Sequence, residues 1–150
     1  MTAHETAITV PAEQVPTYIK ASLSTGEEVR AVFRYHWIMR VVLWVWVLAS
    51  VLTLGLLAPV ALFIWLTLRS VEQGLTNKRV ITKRGIISRK TDEMKISSVE
   101  TVELDQGVFG RILGYGNVRI TGRGTSDVII RNVEDPMDVK RRIESISNPA

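Results

Sequence analysis

The chain of 150 residues has no cysteine, which excludes disulfide bridges and thiolate chemistry and removes a common zinc ligand. Histidine is nearly as scarce, occurring only as His4 and His36, too few for a metal site of the usual kind. The glycines at Gly107, Gly110, Gly114 and Gly116 do not fall into a dinucleotide or Walker spacing, so they read as turns and not as a phosphate cradle. The acidic residues are scattered, and no nucleophile, base and orienting partner stand out together. These absences point to a protein that is not an enzyme and has no cofactor. The most telling absence is of charge. From Val41 to Leu68, twenty-eight residues carry none, and the hydroxyls of Ser50, Thr53 and Thr67 are the chief polar groups.

A helix at the surface of a soluble protein keeps one wet face, and this stretch has no polar stripe, so the sequence predicts a membrane segment. It is not the pattern of a secretory signal. Some forty polar residues precede it, among them Glu5, Glu13, Glu27 and Glu28, and it is about twice the length of a signal core. As one helix at about 1.5 Å per residue it would run about 42 Å and need a strong tilt; as two helices from Trp37 to Val71 with a turn near Leu54 to Pro59, each would be short. Residues alone leave both arrangements open. Arg69, Lys78, Arg79, Lys83, Arg84, Arg89 and Lys90 follow the segment, against Arg30, Arg34 and Arg40 before it, and the bias toward positive charge inside puts the C-terminal part in the cytoplasm. Trp37, Arg40 and Arg69 are the expected residues of the membrane interface.

The charge of +4 is uneven: residues 69–150 hold fifteen Lys/Arg against eleven Asp/Glu, whereas residues 1–68 hold four of each. Residues 1–26, with Pro11 and Pro16 and no sustained period, read as a flexible polar leader with a short helix near Tyr18 to Leu23. Residues 27–36 read as a short strand approaching the membrane, with Val29, Ala31 and Phe33 on one side. Residues 37–71 form the membrane segment. Residues 72–147 read as antiparallel sheet, with turns at Asn77–Lys78, Gly85 and Gly122–Thr125, and strands over Arg79–Lys83, Ile86–Lys95, around Val102 and Leu104, around Val118 and Ile120, and Val128–Arg131. Asp135 as N-cap, Pro136 in the first turn and the stripe Val139, Ile143 and Ile146 predict a closing helix.

The segments LSTGEEV at Leu23–Val29, YHW at Tyr35–Trp37, LTNKRVITKRG at Leu75–Gly85 and VFGRILGYGNVRI at Val108–Ile120, with the final helix opened by Asp135–Pro136, form an ordered set. In that set the chain resembles the bacterial membrane-anchored PH-like proteins over residues 18–146. The resemblance implies a membrane-anchored α+β fold: an apolar transmembrane helical hairpin, then a PH-like antiparallel β-barrel or sandwich capped by a C-terminal helix. It implies the bacterial inner membrane as the location, the β domain facing the cytoplasm, and it transfers no catalytic residue.

Three features are candidates for binding. Lys78, Arg79, Lys83, Arg84, Arg89 and Lys90 would hold the domain against anionic headgroups at about 1 kcal/mol each, or serve only as a solvated sheet edge. The apolar loop with Phe109 and Leu113 would plug one end of the barrel, or meet lipid or a partner. Lys140, Arg141 and Arg142 read as a wet helix face. Strands without an aromatic RNA-binding set and a mixed charge argue against nucleic acid. The expected function is a membrane-anchored binding or scaffold module on the cytoplasmic face. Its expected partners are the lipid bilayer and a membrane protein, with anionic lipid headgroups as the alternative.

Overall fold

The computed structural model describes residues 10–123 and 127–147. A short helix α1 (Thr17–Ser22) precedes strand β1 (Val29–Phe33), and two helices follow, α2 (Trp37–Leu52) and α3 (Ala58–Arg69). Strands β2 (Glu72–Thr76), β3 (Arg79–Arg84) and β4 (Lys90–Lys95) come next, then a 3-10 turn and β5 (Val99–Asp105). Helix α4 (Val108–Leu113), strands β6 (Tyr115–Gly122) and β7 (Val128–Glu134) and helix α5 (Pro136–Ser147) complete the chain. The strands make two antiparallel sheets, ordered β1-β2-β3-β4 and β5-β6-β7.

Alternation in the strands sends one set of side chains between the sheets. Leu75, Val80 and Met94 of the first sheet meet Val102, Val118, Ile120, Val128 and Ile130 of the second. Helix α5 closes the core with Val139 and Ile143, and Ile146 packs at its edge. Its start is fixed as the sequence predicts: the Asp135 carboxylate accepts the Asp138 N–H at 3.1 Å, and Pro136 opens the first turn. The buried Gln73 side chain ties the sheets together, since its amide donates to the Arg131 carbonyl at 3.1 Å and accepts the Arg131 N–H at 2.7 Å.

A smaller cluster lies on the other side of the first sheet, where Ile19 of α1 packs with Val29 and Ile81. The described part of the polar leader is therefore packed, and Gly74 permits it, because a Cβ there would come within 2.8 Å of the Ile19 Cδ1. Val29 and Ala31 do not share a face as simple alternation predicts. The register of β1 against β2 shifts between them, which leaves Ala31 in the main core and Val29 in the outer cluster. The expected strand Ile86–Lys95 shortens to β4, since Gly85 turns at φ +112° and Ile87 is exposed. Residues 124–126, which take in the second half of the expected Gly122–Thr125 turn, and the first nine residues of the expected leader lie outside the described residues.

The membrane-anchored fold with a transmembrane hairpin is corrected by the lengths of α2 and α3. Among the described residues no helix is long and apolar enough to cross a membrane. The 16 residues of α2 and 12 of α3 reach about 24 Å and about 18 Å, short of the ~30 Å of a hydrocarbon core. A single tilted span is also excluded, because Leu54 at φ +50° and Gly55 at φ +87° turn the chain between the helices. With no crossing, the rule that set orientation loses its premise, and the assignments to the inner membrane and to its cytoplasmic face fall with it. The fold is a small PH-like α+β arrangement of two antiparallel sheets.

Candidate binding surfaces

The helix pair connects β1 to β2, which are neighbours in the first sheet, so both helices spring from one end of that sheet. His36 starts α2. Its backbone N–H donates to the Asn132 carbonyl at 2.9 Å, its Nδ1 accepts the Ile38 N–H at 3.3 Å, and its ring lies between Trp37 and Tyr115 at 5.3 Å and 5.6 Å. That side chain is a buried cap. The helices pack on each other through small residues, Ser50 and Ala61, their only buried positions. Trp44, Leu48, Val51, Leu52, Leu56 and Phe63 are exposed, and Leu54 at the tip is 98% exposed.

Most polar groups of the turn find partners within the pair. The Thr53 and Thr67 hydroxyls donate to the carbonyls of Ala49 and Phe63 at 2.8 Å and 2.9 Å. In the turn, the N–H groups of Thr53, Leu54, Gly55, Leu56 and Ala58 all reach backbone carbonyls of the same segment. Arg40 in the first turn of α2 and Arg69 at the end of α3 mark the sheet end, and the Arg69 guanidinium stacks 4.5 Å from the centre of the Trp65 ring.

Between the helix pair and the first sheet runs a groove of about 740 Å³. Met39, Leu43, Trp44 and Val47 of α2 and Leu62, Trp65 and Leu68 of α3 give it apolar walls, and Arg34, Arg40 and Arg69 also line it.

The basic set predicted as a headgroup patch does not converge on one surface. Lys78 and Arg79 lie at the start of β3, away from the helix pair, while Lys83 and Arg84 lie at its end, where Lys83 pairs with Glu72 across the strands. Most of these charges are already used. Arg79 makes a fork on Glu27 at 2.9 Å and 3.0 Å and also meets Glu93 at 2.6 Å. Lys83 faces Glu72 at 3.4 Å and lies 4.4 Å from the centre of the Tyr18 ring. Arg84 meets Asp92 at 2.7 Å, Lys90 meets it at 3.6 Å, and the Lys78 ammonium donates to the Thr25 carbonyl at 2.8 Å. Arg89 has no such ion pair among the described residues. The Glu27 carboxylate also accepts the Ser24 N–H and the Thr76 hydroxyl. Burial pushes Glu27 upward, but the Arg79, Ser24 and Thr76 hydrogen bonds outweigh it and hold the carboxyl at about 2. Tyr35, by contrast, is raised by burial, with Arg131 and Arg84 opposing.

The loop around Phe109 is helix α4 and not a plug. Val108, Phe109 and Ile112 are exposed, Leu113 is only partly covered, and the buried member is Gly110, which lies against the Tyr115 carbonyl. Leu113 and Trp37 line one pocket, so α4 stands beside the start of α2. Among the described residues no group of three or more His, Asp and Glu side chains is placed to hold a metal ion.

The arrangement of two sheets and a closing helix agrees with the comparison to family descriptions, where the bacterial PH domain matches residues 16–146. The chain belongs to the bacterial PH domain family. Among curated proteins and among solved structures, nothing matches it. PH-like domains are generally non-catalytic binding modules, and the matched range runs across the helix pair. Within the bacterial PH domain, sequence reasoning missed Arg34, Trp44 and Trp65 as groove residues. The arginines that bound the charge-free stretch were its one visible signal.

Proposed function

We propose that the chain is a non-catalytic binding module that seats its PH domain on a lipid surface and offers it there to a protein partner. The observation that supports this is the helix pair, apolar on its exposed faces and with four of the five N–H groups of its turn, Thr53 to Leu56, bonded within the segment. In water such a turn gains little from internal partners, whereas in hydrocarbon each unpaired backbone group would cost several kcal/mol. Trp37, Arg40 and Arg69 at the sheet end suit the boundary between apolar and polar phases. The pair enters the surface tip first and does not cross it. Helix α4, beside the start of α2, then offers Val108, Phe109 and Ile112 to a protein lodged in the same surface. Headgroup recognition by the basic set of β3 and β4 is the weaker alternative, since Arg79, Lys83 and Arg84 are held in ion pairs.

Flotation of the full chain with vesicles of neutral phosphatidylcholine tests the seating. Wild type is expected to float, and the double variant Leu54→Asp, Leu56→Asp to lose partitioning by at least a hundredfold, because each carboxylate costs about 3 kcal/mol inside the apolar layer. A double variant that floats as wild type does would refute the reading.

A further inference from the structure

The arginines of the groove differ from the basic residues of β3. Arg79, Lys83 and Arg84 each have a carboxylate within 4 Å, whereas Arg34, Arg40 and Arg69 have none among the described residues. Glu72 also borders the groove, but it is committed elsewhere: one oxygen accepts the N–H groups of Tyr18 and Ile19 at 3.0 Å and 3.3 Å, and the other faces Lys83. The groove thus joins uncompensated positive charge to long apolar walls. Arg40 and Arg69 sit where the helices leave the sheet, and Arg34 follows β1, so the charge gathers at the sheet end while Val47 and Leu62 extend toward the tip. A ligand that satisfies both halves has a compact anionic head and a hydrocarbon body. A peptide with acidic residues spread along it fits less well, because the charge is at one end only. The volume falls within the usual range of a ligand site.

We infer that this groove binds one anionic phospholipid, with its phosphate on Arg34, Arg40 and Arg69 and acyl chain along Leu43, Trp44, Val47 and Trp65. Guanidinium forks match phosphate oxygens in pairs, and the Arg69 fork is already oriented by the Trp65 ring. The inference rests on the seating of the helix pair at a lipid surface, which would supply the ligand laterally.

Trp44 and Trp65 make the groove its own reporter. The full chain in neutral detergent would be titrated with phosphatidylglycerol or phosphatidylcholine carrying brominated acyl chains, which quench indole fluorescence on contact. Wild type is expected to reach half-quenching at a much lower fraction of phosphatidylglycerol, by about fivefold for each arginine engaged and on the order of a hundredfold for all three. The triple variant Arg34→Gln, Arg40→Gln, Arg69→Gln should respond equally to both lipids, and the Trp44→Phe, Trp65→Phe variant, which keeps Trp37 and Trp46 outside the groove, should lose the difference between the two lipids. The arginines are exposed, so the fold is preserved, and a Lys triple variant should keep part of the preference. Equal quenching of wild type by both lipids, or a Gln triple variant that retains the preference, overturns the inference. Flotation on neutral vesicles reports the seating separately: its loss with the preference intact would refute the proposed function and leave the groove site standing.

Discussion

Replacing Glu27 by Gln should convert the acid stability of this fold into a measurable difference between two curves. The Glu27 side chain is 1% exposed and receives the Arg79 fork, the Ser24 N–H and the Thr76 hydroxyl. Its folded pKa of about 2 lies below the ordinary 4.5. For a depressed carboxyl the stabilisation is complete above the unfolded value and disappears as pH falls through the folded one. The shift corresponds to about 3 kcal/mol, present at pH 7 and lost between about pH 5 and pH 2. Urea unfolding of wild type and Glu27→Gln, followed by the far-ultraviolet circular dichroism of the sheets in neutral detergent from pH 7 to pH 2, should show the variant less stable by about 3 kcal/mol at neutral pH. The gap should then narrow by about the same amount toward pH 2, since the other carboxylates titrate identically in both chains. A gap that stays constant with pH would show that Glu27 is not the depressed group. A gap near zero at pH 7 would show that the Arg79 fork contributes nothing net, as happens where desolvation cancels attraction.

Gln73→Leu keeps the volume but leaves the Arg131 N–H and carbonyl without their partners; unfolding in urea should show a loss of about 3 kcal/mol. Gly110→Ala would place a Cβ 2.5 Å from the Tyr115 carbonyl, so α4 must shift, and the same assay should show a loss of about 2 kcal/mol with faster proteolysis near Arg111. Phe109→Ser, in contrast, should change stability by no more than about 0.5 kcal/mol, because the side chain is exposed; a larger loss would mean that it is buried after all.

The elements that were legible in the sequence are those whose signal is local. Asp135, Pro136 and the spacing of Val139, Ile143 and Ile146 specify α5 without reference to the rest of the chain, and the alternation around Val102, Leu104, Val118 and Ile120 gives β5 and β6. The charge-free stretch left one helix or two open, and its total length concealed how few residues each of the two helices keeps. Around α4 the four glycines masked a helix: Gly114 ends it in the left-handed conformation, and Gly110, the one glycine within it, lets it lie against β6. The family resemblance was carried by ordered segments and is shown by the match over residues 16–146. The groove was not legible, because Arg34, Arg40 and Arg69 become neighbours of one cavity only when the helices fold back over the first sheet. The ion pairs of β3 were equally hidden, since a run of basic residues does not state which of them face acids on the next strand.

Phe33 and Gln73 are directly paired although thirty-nine residues separate them. The helix pair is thus, in polymer terms, one very long connection across a β-hairpin. Replacing such a connection with a four-residue turn would lower the closure cost by only about 2 kcal/mol, because that cost grows with the logarithm of length. The main core contains no residue from α2 or α3. Growth, shortening or complete excision of the insert would therefore leave the sheets almost untouched, so the inserted helices can diversify in sequence while the fold beneath them stays fixed.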